Sequence, residues 1–308
     1  MIVVLAGGVG GSKFVKGVSL AADEEVTAII NTGDDFERFG LHISPDIDIN
    51  LYALANVIHE QGWGFKDESY NCQSILSTIY QEDCWFNLGD KDLATHIYRT
   101  HLLKQQKTLT EITDLMCQKM GISTRIVPMC NESVQTYIET PEGNIHFQEY
   151  LVKRKMEDRV LDIHFMGAES AQPAPGIIES IGSADMIFIA PSNPFVSIGP
   201  IFSVPGIREA IRKSDAKVAA VSPIIGGKAV KGPAERMMRD LNIDVSPIGI
   251  ASLYRDLLDV IIIDDQDKKY EGELENDGLH VLVTNTIMDS DESKKMLAND
   301  VIQFVKRL

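Results

Sequence analysis

Few cysteines, few basic residues and no long apolar run: each shortage narrows what this chain can be. Its four cysteines (Cys72, Cys84, Cys117, Cys130) form no CxxC pair, which speaks against a disulfide framework. Basic residues number 29 against 45 acidic ones, a formal charge of −16. Such a surface repels polyanions, so nucleic acid and anionic membranes are poor partners. No apolar run approaches the roughly 20 residues that span a bilayer. The chain opens on the strand-like Met1-Ile-Val-Val-Leu rather than a basic leader, and a cytoplasmic location is expected. What remains is ordinary: 44% hydrophobic and 24% charged residues in a chain of 308, enough for one large core with a sizeable insertion, or for two domains. Any phosphorylated ligand must find a local reversal of sign, from backbone N–H groups, a few lysines or arginines, or a bound Mg²⁺.

The first 44 residues read as strand, glycine run, helix and strand, with strands at 2–5 and 26–31 and a helix at 12–22. This β-α-β unit predicts a parallel sheet, with ligands beyond the carboxyl ends of its strands. Apolar spacing then predicts helices at 49–60, 71–80, 92–104 and 109–120, and alternation around the turn Pro141-Glu-Gly-Asn predicts antiparallel strands within 125–166. Short apolar runs at 186–190, 217–221 and 260–263 read as strands buried on both faces, with helices at 206–213, 233–240, 248–257 and 292–306. The expected architecture is α/β: a Rossmann-like parallel sheet core (1–44 and 167–308) with a helical insertion and a small antiparallel β segment (45–166) forming a substrate-binding subdomain.

Several segments carry candidate chemistry. In Ala6-Gly-Gly-Val-Gly-Gly-Ser-Lys, Gly7, Gly8, Gly10 and Gly11 let the backbone approach an anion, and the helix behind offers free N–H groups, with Ser12 and Lys13 beside them. The run is neither a Walker A loop nor a complete GxGxxG, because Lys13 stands where the third glycine belongs. Asn31-Thr-Gly-Asp-Asp brings Asp34 and Asp35 to the same sheet edge, as ribose or metal ligands. Ser44-Pro-Asp-Ile-Asp-Ile-Asn supplies Asp46, Asp48 and Asn50, of which capping a helix needs one acid. In Gly89-Asp-Lys-Asp-Leu-Ala-Thr-His, one helical turn separates Asp92 from His96, and a hydrogen-bonded surface pair is expected there rather than a metal ligand. Two polar loops follow buried strands: Ala190-Pro-Ser-Asn-Pro and Val221-Ser-Pro-Ile-Ile-Gly-Gly-Lys. Ser192, Asn193, Ser222 and the glycines could hydrogen-bond a base or phosphate there, while Lys228 and Lys231 could offset its charge.

Taken in order along the whole chain, GGVGGSKF, NTGDD, SPDIDIN, the Gln61-Gly-Trp-Gly segment, WFNLGDKDLATH, IHFQEY, APSNPFVSIGPI and SPIIGGKAVKG resemble the 2-phospho-L-lactate transferase family of coenzyme F-420 biosynthesis, often called CofD. The resemblance implies transfer of a phospholactyl group from lactyl-2-diphospho-5'-guanosine to the deazaflavin Fo (7,8-didemethyl-8-hydroxy-5-deazariboflavin), giving coenzyme F-420-0 and GMP with Mg²⁺. Under it, Asp34, Asp46 and Asp48 are expected to hold the metal, one of them also taking the hydroxyl proton. The glycine run with Lys13 is expected to bind phosphate. Asp48, Asn50, Gly89, Asp90 and Lys91 are expected to contact Fo, and Ser192, Asn193, Pro194, Ser222, Pro223, Gly226 and Gly227 the guanosine. The donor's acyl part, lactyl, enolpyruvyl or glyceryl, is not legible. A homodimer is the expectation from base rates. The rival readings are an NAD-dependent oxidoreductase and a non-catalytic nucleotide-sugar-binding regulator.

Overall fold

A computed structural model describes all residues, 1–308. Its centre is a seven-stranded sheet in which every neighbouring pair is parallel. Across it run His280–Val283, Val260–Ile263, Lys217–Val221, Met186–Ile189, β1 (Ile2–Ala6), β2 (Val26–Ile30) and Arg125–Pro128. Alternate residues feed the two faces: Val3, Leu5, Ile29 and Val127 enter one buried cluster, and Ile2, Val4, Ala28, Ile30 and Ile126 the other. Two covered faces explain why the strands read as unbroken apolar runs. The Rossmann-like α/β architecture is thus the observed one, and no helix is long and apolar enough to cross a membrane.

The chain steps one way from β1 to β2 to Arg125–Pro128, then returns to the other side of β1 and steps outward from Met186–Ile189. The strand order therefore reverses between β1 and Met186–Ile189, and a crevice opens at their carboxyl ends, where such sheets take ligands. Two boundaries correct the sequence reading. Arg125–Pro128 joins the central sheet beside β2 instead of the antiparallel segment, which consists of Gln135–Thr140, Gly143–His146 and Asp162–Met166. The edge strand His280–Val283, absent from the expectation, is short and only partly buried, so its hydrophobic signal is weak.

Helix α1 (Gly8–Ala21) begins inside the glycine run, four residues before the expected start at 12. Its first turn lies against the turn after Met186–Ile189: a methyl on Gly10 would meet the Pro191 carbonyl oxygen at 2.3 Å. Gly10→Ala is therefore expected to cost about 1–3 kcal/mol, since a rigid backbone group cannot yield to it. A lowered urea midpoint at unchanged m-value checks this, and an unshifted midpoint refutes it.

Helices α2 (Pro45–Leu54), α3 (Asn71–Thr78), α4 (Asp90–Lys104) and α5 (Leu109–Met120) follow the expected order. Helix α2 starts at Pro45, before the predicted residue 49, because proline at the first helical position needs no N–H partner and has its φ preset. That early start decides where the two acids of Asp46-Ile-Asp48 point.

Candidate active site

At the reversal point lies a cavity of about 570 Å³. Gly7, Gly8, Val9, Gly10 and Lys13 of α1 and its approach form one wall, Asp34, Asp46, Asp48, Asp92 and His96 another, and Pro191, Ser192, Asn193, Ser222 and Pro223 a third. Apolar side chains, among them Trp63, Phe86, Phe147 and Leu151, line much of the rest.

Two carboxylates sit at the glycine end. Asp46, 3% exposed, accepts hydrogen bonds from the Gly8 N–H (2.8 Å) and from Asn31 Nδ2 (2.8 Å), while Asn31 Oδ1 accepts from the Gly33 N–H. A carboxylate thus already occupies a donor of the α1 amino terminus. Asp34 is buried nearby, and its Oδ1 has no partner. Burial pushes the Asp46 carboxyl up to about 6 against the pull of those two hydrogen bonds. Burial, and then the Asp46 charge, push Asp34 well above the usual carboxylate range. Crowded buried acids with an orphaned oxygen and no cation beside them suit a hard divalent ion.

Asp48 belongs to a different set. On a helix, residues two apart do not face each other, so Asp48 turns away from Asp46 and meets α4. Arg99, 0% exposed, clasps both Asp48 oxygens through its two terminal nitrogens, one of them at 3.1 Å. His96 lies between two acids, its Nδ1 3.5 Å from Asp48 and its Nε2 3.5 Å from Asp92. The Tyr52 hydroxyl donates to Asp92 (2.6 Å). Burial works to raise the Asp92 carboxyl, but His96 and Tyr52 outweigh it and its pKa falls. Asp48, Asp92 and His96 are the cavity-lining group whose potential metal-ligand atoms converge within 4.8 Å; Asp34, Asp46 and Asp48 do not form such a group. His96 is no surface residue either: at 1% exposure it is buried between helices, a placement that an isolated i, i+4 pair does not reveal.

The remaining site expectations divide. Gly7, Gly8, Gly10, Lys13, Ser192, Asn193, Ser222 and Pro223 all line the cavity. Ser192 also exchanges hydrogen bonds with the Gly7 backbone, and Asn193 caps the turn of Phe195 and Val196. Gly11 and Ser12 face inward: a methyl on Gly11 would meet Ser192 Oγ at 2.6 Å, and the Ser12 hydroxyl donates to the Val9 carbonyl. Pro194, Gly226 and Gly227 lie outside the lining, the Gly226 N–H donating to Asp267. Asn50 turns back to the Asp46 carbonyl. Asp90 caps Asn71 and Cys72, Lys91 reaches the carbonyls of Lys66 and Asp67, and Gly89 packs on Glu68, so none of these three lines the cavity. Gly89 to Lys91 are consumed in fastening α4 to the segment before α3, work that the motif alone does not disclose. Sequence reasoning missed the 286–289 stretch and the aromatic wall of Trp63, Phe86 and Phe147. The aromatics do stand inside the motifs quoted above.

Fold and chamber together define a Rossmann-like α/β protein with an acid-lined ligand cavity at its switch point. The family model described as 2-phospho-L-lactate transferase CofD matches residues 2–303. The chain belongs to that family and is a transferase of that kind. A phosphoenolpyruvate transferase of Streptomyces griseus is 38% identical over 100% of this chain and 99% of its own length. A 2-phospho-L-lactate transferase of Methanosarcina mazei is 37% identical over 98% and 99%, and one of Methanococcoides burtonii is 38% identical over 98% of both. Among solved structures, a UPF0052-family protein of Bacillus halodurans superposes with a TM-score of 0.67 over 98% of each chain at 16% identity, a likeness of fold.

Proposed function

We propose that the protein transfers a phosphorylated three-carbon acid from a guanosine-diphosphate-linked donor to the primary hydroxyl of the deazaflavin Fo, releasing GMP, with Mg²⁺ required. The observation that carries this reading is a cavity lined by two kinds of chemistry. One set of residues combines a helix amino terminus, Lys13 and two crowded buried acids; the other combines Asp48, Asp92 and His96 with the aromatic side chains Trp63, Phe86 and Phe147. A diphosphate fits the first and a flat ring with a polyhydroxyl tail fits the second.

Asp34 and Asp46 would hold Mg²⁺, whose chemistry there is neutralisation of charge on the transferring group. Such charge needs cancelling: the overall charge is −16, and the Asp46 carboxylate sits on the first-turn N–H that would otherwise greet a phosphate. The Gly8–Gly10 backbone and Lys13 bind the phosphates, and the Ser192, Asn193 and Ser222 side hosts the guanosine. Trp63 and Phe86 hold the ring in place and exclude water. Asp48, whose carboxyl burial raises above its ordinary range against the pull of Arg99, retains spare lone pairs and accepts the proton of the attacking hydroxyl. Transfer through a loose transition state depends chiefly on this alignment.

Purified protein incubated with Mg²⁺, Fo and the guanylylated donors of phospholactate and phosphoenolpyruvate, in separate reactions, is expected to yield GMP and the matching deazaflavin phosphodiester by chromatography with mass detection. The enolpyruvyl donor is included because relatives named for either acid are equally similar. Absence of product with both donors, and with the glyceryl donor in a third reaction, refutes the reading. The oxidoreductase and regulator readings would instead show as NADH binding, or as nucleotide-sugar binding without turnover.

A further inference from the structure

Five aspartates line the cavity, Asp34, Asp46, Asp48, Asp92 and Asp289, against two lysines, Lys13 and Lys231, and no arginine. Lysines elsewhere on this acidic protein are commonly ion-paired, as Lys153, Lys213, Lys217 and Lys306 are. The two in the cavity are not. Lys13 Nζ donates to the Met288 carbonyl (2.6 Å) and Lys231 Nζ to the Gln61 carbonyl (2.8 Å), so each rests on a neutral backbone acceptor. An ammonium has three donors, and each leaves two for something else. The two cations also sense each other: burial lowers the Lys13 pKa first, and Lys231 lowers it further.

The position of Lys231 is set from two sides. It follows the short hairpin Ile224–Ile225 and Lys228–Ala229, whose turn Gly226 ties down to buried Asp267. Its ammonium meets Gln61, and the next residue, Gly62, lies so close to α1 that an added methyl would be 2.8 Å from Val9 Cγ1 and 3.9 Å from Lys231 Nζ. Lys231 therefore stands beside the first turn of α1, against the loop that carries Trp63.

We propose that Lys231 is a catalytic residue of this transferase, binding the diphosphate of the donor together with Lys13 and so supplying from the hairpin a positive charge that the acid-rich cavity otherwise lacks. This rests on the reading above for the identity of the donor but not for the anion itself. The Gln61 carbonyl holds the ammonium in place until phosphate oxygens replace or join it. Two lysines on separate elements bracket a group carrying two phosphates better than one phosphate, so discrimination by phosphate number is the signature.

The test is calorimetric titration of the full chain, with Mg²⁺ and no acceptor, using GDP, GMP, guanosine and inorganic pyrophosphate. Lys231→Ala is expected to weaken GDP and pyrophosphate tenfold or more, GMP less, and guanosine by under twofold. Lys231→Arg is expected to restore most of the loss. Lys228→Ala, on the hairpin just before Lys231 and outside the cavity lining, is expected to match the parent. An unchanged GDP affinity in Lys231→Ala, an equal loss for guanosine, or a parent that binds neither GDP nor pyrophosphate overturns the proposal. Lys231-dependent GDP binding without transfer to Fo refutes the proposed function alone, whereas transfer with Lys231-independent GDP binding refutes this inference alone.

Discussion

Asp46→Asn is expected to lower kcat about a thousandfold, the scale on which loss of a positioned charge-stabilising group is felt in acyl or phosphoryl transfer, and to remove the stabilisation that Mg²⁺ gives the parent. The substitution keeps shape and an oxygen for the Gly8 N–H but turns an amide toward the Asn31 donor, so it removes the charge and one hydrogen bond while changing no volume. Stability of the parent reports the same site without turnover. The Asp46 carboxyl rises from 3.8 unfolded to about 6 in the native chain, so the native state binds the extra proton across that window. Stability from this group is greatest at low pH and is lost as pH rises through 4 to 6, by roughly 3 kcal/mol at about 1.4 kcal/mol per unit. Asp34, raised in the same direction, deepens the loss. Above that window Asp46 is ionised beside Asp34, and a cation bound between them would restore what was lost. Melting scans should show a larger rise with Mg²⁺ at pH 8 than at pH 5, and the difference should vanish in Asp46→Asn. A rise that survives the substitution removes Asp46 from the metal's ligands.

The sheet was legible because its strands are buried on both faces and its turns carry glycine and proline. Two edge strands escaped: His280–Val283, only partly buried, carries a weak pattern, while Arg125–Pro128, buried on both faces, was read as β structure but given to the antiparallel segment that follows it in the chain. Gly7, Gly8 and Gly10, the acids Asp34, Asp46 and Asp48, and the first residues of the two loops after buried strands arrived at the cavity. Finer assignments did not follow from spacing. Alternate positions suggested that Asp46 and Asp48 act together, yet α2 begins at Pro45 and so divides them between two networks. Arg99 was invisible because nothing local marks it: its partner Asp48 lies 51 residues earlier, and only the packing of α4 on the preceding segment joins them. Lys91 misled in the opposite way, a cation in a promising motif that folding spends on two backbone carbonyls.

Arg99→Met is expected to destabilise the protein by about 3–5 kcal/mol, the cost of leaving one member of a buried ion pair without the other. In a chain of this size the melting temperature should fall by about 5–8 °C. Arg99 is 0% exposed, and its terminal nitrogens serve Asp48, the His42 carbonyl and His96 Nδ1. Asp48 in turn holds the guanidinium pKa up against the burial that lowers it. Pairing Arg99→Met with Asp48→Leu removes both charges, and replacing a buried pair by apolar groups of similar size is close to neutral. The double variant should therefore melt within a few degrees of the parent, about 3 kcal/mol better than the sum of the single changes. Activity should not return with stability, because Asp48 lines the cavity and the ionised group is gone. Recovery of both in the double variant would make the Arg99–Asp48 pair a structural brace with no part in turnover, and a single Arg99→Met variant as stable as the parent would show that Asp48 is not ionised in the folded chain.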